Sequence, residues 1–200
     1  MIKAILTDLD GVLRSWNNDS LFNLEESHGL HRGFLFSCAF NDQFVLPAIV
    51  GEVSHEQWLD HVANELETVS SPELVKQLIA QWQDSPSEID WRLMDAYNIA
   101  FPDASIVLVS NATTRMDQDL KNTGLPEKLN IIINSSEIGV AKPDFEFFRR
   151  TLKTIACSSD EVLFIDDQIE NVDSATELGI ASFHYQNDLD LLKGFLARFS

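Results

Sequence analysis

The run Ala4-Ile5-Leu6-Thr7-Asp8-Leu9-Asp10-Gly11 drives a short apolar stretch straight into two carboxylates. Aspartate is a poor strand former, and two negative charges this close repel one another. Residues two apart on an extended chain point to the same face. Asp8 and Asp10 therefore present a paired acidic edge where a strand ends. Taken alone, an Asp-x-Asp step is also ordinary turn or helix-cap chemistry.

Further apolar runs follow: Ile106-Val107-Leu108-Val109, Ile131-Ile132-Ile133, Val162-Leu163-Phe164-Ile165 and, more weakly, Ile180-Ala181-Ser182-Phe183. Uninterrupted β-branched runs suit strands buried on both faces, as in a parallel sheet. Between the later runs the spacing predicts helices over roughly 114–121, 143–155 and 171–178. This alternation implies an α/β fold with a doubly wound, Rossmann-like parallel sheet.

Between residue 14 and about residue 100 strand runs vanish and helix signals take over. Ser54 and Gln57 form a capping-box pair that opens a helix through about Leu66, and Ser71-Pro72 offers an N-cap with proline at the first helical position. Asp84-Ser85-Pro86-Ser87 breaks that helix, and another runs through Trp91, Met94 and Tyr97. Residues 15–90 are expected to form a helical cap inserted after the first strand. The α/β core is then 1–14 plus 91–200.

Composition narrows the function classes. Fourteen Lys+Arg against 32 Asp+Glu give a net charge of −18 over 200 residues. Nucleic acid and anionic membrane surfaces need basic patches, so neither is expected as a partner. No apolar run approaches the ~20 residues that cross a bilayer. The N-terminus reads as a strand rather than a signal peptide, and Cys38 and Cys157 show no metal-like spacing. The expected location is the cytoplasm. Oligomeric state is left open.

Ligands of open parallel sheets gather outside the carboxyl ends of the strands, so the first polar residues after each run are the candidates. They are Asp8 and Asp10, then Ser110 and Asn111, then Lys142 in the loop Gly139-Val140-Ala141-Lys142-Pro143, then Asp166 and Asp167 with Asn171 beyond. Each has a bland reading as a turn, a cap or a solvated lysine. Together, in order and each at a strand end, Asp-Leu-Asp-Gly-Val, Ser-Asn, Lys-Pro and Asp-Asp-x-x-x-Asn resemble the four motifs of the haloacid-dehalogenase-like hydrolases. The insert at 15–90 resembles the small helical (C1-type) cap of a phosphatase subgroup of that family.

That resemblance implies a phosphoric monoester hydrolase. Asp8 would be the nucleophile, forming an aspartyl phosphate, and Asp10 the acid and base for the leaving alcohol and the attacking water. Four carboxylates and a phosphate call for a hard divalent cation, and magnesium fits. Its implied ligands are Asp8, the Asp10 carbonyl and Asp167, with Asp166 binding it or supporting its water shell. Lys142 would neutralise charge between nucleophile and phosphate. Ser110, with Asn111 and backbone N–H groups beside it, would hold phosphoryl oxygens.

Several alternatives stay open. A phosphomutase shares the first half-reaction, and a haloacid-type dehalogenase uses the same nucleophile but typically lacks the second aspartate of the first motif. A receiver domain, an Asp-x-Asp glycosyltransferase and a non-catalytic phosphate-binding or regulatory protein fit less well. Residues 15–90 hold two basic residues, Arg32 and Lys76, against thirteen acidic ones. This suggests a small phosphate ester with a neutral leaving group, such as a sugar phosphate. Trp16, Phe34, Phe36, Phe40, Trp58 and Trp82 could line a pocket, though core packing is the simpler expectation. His28, His31, His55 and His61 show no ligand spacing.

Overall fold

The computed structural model describes residues 1–200. Seven strands form: β1 Ala4–Thr7, β2 Arg14–Trp16, β3 Ser87–Ile89, β4 Ser105–Ser110, β5 Ile131–Asn134, β6 Val162–Asp166 and β7 Ala181–His184. Five of them make one sheet in the order β5-β4-β1-β6-β7. Every pairing in it is parallel. The chain builds outward from β1 through β4 to β5, then returns to the other side of β1 for β6 and β7. Such a reversal opens a crevice at the carboxyl ends of the strands that flank it.

Alternation along the strands explains the sheet's burial. Ile5, Ile106, Leu108, Leu163 and Ile165 belong to a 20-residue cluster on one face. Their neighbours Ala4, Leu6, Val107, Val109, Val162 and Phe164 belong to an 11-residue cluster on the other. With both faces covered, no polar residue is tolerated until the strand ends, which is why the runs read as continuously apolar.

The helices are α1 Asp19–Ser27, α2 Phe34–Ala39, α3 Asp42–Ile49, α4 His55–Leu66, α5 Pro72–Gln83, α6 Trp91–Ala100, α7 Met116–Leu120, α8 Ser135–Ile138, α9 Phe145–Thr154, α10 Ile169–Glu177 and α11 Leu189–Leu196. The expected helix over 114–121 is a single short one, α7. Those over 143–155 and 171–178 are α9 and α10, shifted by up to two residues.

Helices α1 to α5 enclose a core of their own, centred on Leu21, Leu35, Trp58, Val62, Val75 and Leu78. Two sequence signals act as anticipated: Ser54 and Gln57 form a reciprocal capping box on α4, and the Ser71 hydroxyl accepts from Leu74 N–H at the start of α5. The buried Glu25 carboxylate accepts from Gly33 N–H at 2.6 Å and Leu35 N–H at 2.9 Å, tying α1 to the start of α2. The expectation that residues 14–100 hold no strand needs correction. β2 and β3 pair antiparallel at the two points where the chain enters and leaves the helical insert. At three residues each they are too short for an alternating pattern to register.

Candidate active site

Lys142 organises the carboxylates. Its Nζ donates to Asp8 Oδ1 at 2.8 Å, to Asp166 Oδ2 at 2.6 Å and to the Val109 carbonyl at 3.0 Å. It is fully enclosed and reaches the sheet from the loop between α8 and α9. Asn111 holds it there: Lys142 N–H donates to Asn111 Oδ1, and Asn111 Nδ2 donates to the Lys142 carbonyl, both at 2.8 Å. Asn111, expected beside the phosphate, thus commits both ends of its side-chain amide to positioning Lys142. The other Asp166 oxygen accepts from Gln168 N–H at 2.8 Å and from Asn171 Nδ2 at 3.0 Å.

Carboxylate oxygens of Asp8, Asp166 and Asp167 all lie within 4.8 Å of one another. One lysine against three carboxylates leaves two negative charges uncompensated in a site where Asp8 and Asp166 are buried. Burial pushes the Asp8 carboxyl up to about 7, with Lys142 opposing the rise and Asp166 adding to it. Burial likewise raises Asp167. For Lys142 burial acts downward, but the two aspartates outweigh it and the ammonium holds its proton more tightly than usual. An all-oxygen donor set with a deficit of two charges fits a hard divalent cation such as magnesium.

Asp10 stands apart from this cluster. Arg14 grips its carboxylate with two hydrogen bonds, Nε to Oδ1 at 2.7 Å and a terminal nitrogen to Oδ2 at 2.9 Å. Trp16 Nε1 donates to the same Oδ1 at 2.7 Å, and the Arg14 guanidinium lies 4.5 Å from the Trp16 ring centre. Both partners come from β2, so the orientation of Asp10 is set by the strand that leads into the insert. Gly11 adopts φ +85°, and a Cβ there would sit 2.6 Å from Asp167 Cγ. The glycine lets the chain turn while Asp167 stays close.

A cavity of about 580 Å³ runs from these carboxylates up into the insert, lined below by Asp8, Ser110, Lys142 and Asp167 and above by Phe36, Phe40, Trp58 and Trp82. Of the six aromatics singled out in the sequence, all but Phe34 face this cavity. His55, which showed no ligand spacing, also lines it. Arg115 can only donate, so its 3.2 Å contact makes His55 Nε2 the acceptor; Nδ1 then carries the proton toward Thr113 Oγ1 at 2.9 Å. Burial first, and then Arg115, lower the His55 pKa, consistent with a neutral ring. His55 N–H donates to Thr114 Oγ1 at 3.0 Å, so the start of α4 is stitched to the loop after β4. Arg14 and His55 are neighbours of the site to which the sequence alone assigns no role, and Trp16 is expected from it at most to line a pocket. Arg14 and Trp16 stand close to the first motif in sequence, whereas nothing local marks His55.

Residues 103–184 match the family model described as haloacid dehalogenase-like hydrolase. A sesquiterpene phosphatase from Aspergillus oryzae is 40% identical over 58 residues, which is 29% of this chain and 30% of that protein. Bifunctional epoxide hydrolase 2 from Sus scrofa is 24% identical over 198 residues, covering 90% of this chain and 36% of that one. The matches span between 11% and 36% of the length of such curated relatives. Among solved structures, a haloacid dehalogenase family enzyme from Bacteroides thetaiotaomicron in complex with magnesium and inorganic phosphate superposes with a TM-score of 0.74 at 21% identity, covering 96% of this chain and 99% of that one. No helix is long and apolar enough to cross a membrane. The chain thus shares the fold of a haloacid dehalogenase family enzyme, and its residues 103–184 match the haloacid dehalogenase-like hydrolase model.

Proposed function

We infer that the protein is a magnesium-dependent phosphatase acting on phosphomonoesters through an aspartyl phosphate on Asp8. The observation that carries this is the cluster of buried Asp8 and Asp166, both bonded to Lys142, with half-buried Asp167 beside them, two charges short of neutrality. The phosphatase name of the Aspergillus oryzae relative supports the same reaction. In this reading residues 15–90 are a C1-type cap over the core formed by 1–14 and 91–200.

Asp8 Oδ attacks phosphorus, and the P–O bond to the alcohol breaks as the departing oxygen takes a proton through Asp10, whose carboxyl must exchange a hydrogen bond to Arg14 or Trp16 to carry it. The Asp10 carboxylate then takes a proton from water, whose oxygen attacks the acyl phosphate, freeing inorganic phosphate and restoring Asp8. Lys142 offsets charge beside the nucleophile, and Ser110 with the backbone N–H groups after β4 holds phosphoryl oxygens. Bound magnesium supplies Lewis-acid polarisation of the phosphoryl group; Asp8, the Asp10 carbonyl and Asp167 would hold it, with Asp166 behind them. The second aspartate of the first motif, Asp10, favours phosphoryl transfer over halide release. A mutase would differ only in replacing water with a substrate hydroxyl.

The test is phosphate release from a panel of esters with magnesium, for the wild type and Asp8→Asn. Wild-type turnover abolished by Asp8→Asn is expected. Turnover that survives the substitution removes Asp8 as nucleophile.

A further inference from the structure

We propose that the leaving group this phosphatase accepts is an apolar hydrocarbon alcohol rather than a sugar, selected by the aromatic wall of the insert. The proposal rests on the phosphatase reading above and adds the substrate class. Phe36, Phe40, Trp58 and Trp82 stand mutually edge-on or tilted, with ring centres 5.4–6.1 Å apart. Val45 and Ile49 continue the same surface.

These rings are not simply a core. Trp58 is buried, with Nε1 donating to the Ala39 carbonyl at 3.1 Å, but Phe40 is 53% exposed. Phe36 and Trp82 are only partly covered. A large apolar surface left open toward a catalytic cavity marks a ligand face.

Hydrogen-bonding capacity on this wall is scarce. His55 is committed to Thr113 and Arg115. Among the wall's own side chains only the Trp82 indole N–H lacks a protein partner; elsewhere on the cavity lining Asn18, Gln168 and one Asp119 oxygen keep unpaired acceptors. A sugar laid against the aromatic wall would bury several hydroxyls where the wall offers a single indole N–H, and each unmade hydrogen bond is penalised. Nor is there provision for a second phosphate: Arg14 is bound bidentately to Asp10, and Arg115 to Asp119 at 2.8 Å. The cavity therefore combines one anionic-ester site with an apolar, aromatic chamber.

The experiment measures kcat and KM with magnesium for ethyl, butyl, hexyl and octyl phosphate, beside glycerol phosphate and glucose 6-phosphate. The alkyl esters have alcohols of similar acidity, so chain length reports burial. Burying each methylene strengthens binding, and kcat/KM should climb roughly three- to fourfold per added carbon until the chamber is full. The gain is carried by KM, as contacts made equally in ground and transition states require. Trp82→Ala and the more exposed Phe40→Ser should each flatten this dependence and raise KM for octyl phosphate roughly tenfold. If the sugar and glycerol esters match or exceed octyl phosphate, the apolar assignment is overturned while the phosphatase reading stands. A chain-length dependence unchanged in both variants removes the aromatic wall as its source. Release from none of these esters overturns both readings together.

Discussion

Gly11→Ala separates backbone strain from metal binding. At φ +85° an alanine is strained, and the left-handed conformation costs an L residue roughly 1–2 kcal/mol. In a chain of this size each kcal/mol lowers the melting temperature by about 2–4 °C, so a loss of about 2–8 °C is expected. The new methyl would also lie 2.6 Å from Asp167 Cγ and 3.2 Å from its Cβ. Contact distances between carbons are ~3.5–4.0 Å, so the Asp167 carboxylate must retreat by about 1 Å. Magnesium demands near-ideal octahedral oxygens at about 2.0–2.1 Å and cannot follow such a shift cheaply. A roughly 10- to 100-fold rise in half-saturating magnesium is expected, the loss typical when a ligand's support is disturbed.

The assay is a magnesium titration followed both by thermal shift and by ester hydrolysis. Gly29→Ala is the control, since Gly29 has φ +75° and a methyl there would meet nothing within 4 Å. It should cost comparable stability and leave magnesium dependence untouched. A Gly11→Ala protein that melts lower but keeps wild-type magnesium saturation refutes Asp167 as a ligand. So would an equal magnesium defect in the control.

Lys142→Met removes the cation shared by Asp8 and Asp166. Breaking a buried pair from one side costs about 3–5 kcal/mol, or about 6–20 °C of melting temperature, and magnesium should recover part of it; calorimetry with and without the ion checks this. Glu25→Ala strands the Gly33 and Leu35 N–H groups and should cost about 2 kcal/mol or more, read as a shift in denaturation midpoint. Because burial and Arg115 lower the His55 pKa, the unfolded chain binds this proton before the folded one does. Stability linked to His55 is therefore full above about pH 6.5 and declines as pH falls below it. The melting-temperature advantage of wild type over His55→Asn should shrink from about pH 8 to about pH 5; a constant difference refutes the neutral ring.

The sheet and the chemistry at its edge are legible in the chain alone. Strands such as Val162–Asp166, buried on both faces, can carry no polar residue until they emerge. The first carboxylate, hydroxyl or amide after each run therefore announces a strand end, and the fold's handedness brings those ends together. Which groups then touch is settled in three dimensions. Asn111 clamps the Lys142 backbone across 31 residues, and His55 reaches Thr113 across 58. Such contacts depend on sheet order and on how the helical insert docks, neither of which leaves a local period in the chain. The same limit applies to the aromatics of the insert. Helical spacing places Phe36, Phe40, Trp58 and Trp82 on apolar faces, but a core and a chamber demand the same residues. Only the open space beside them, above Asp8 and Lys142, distinguishes the two.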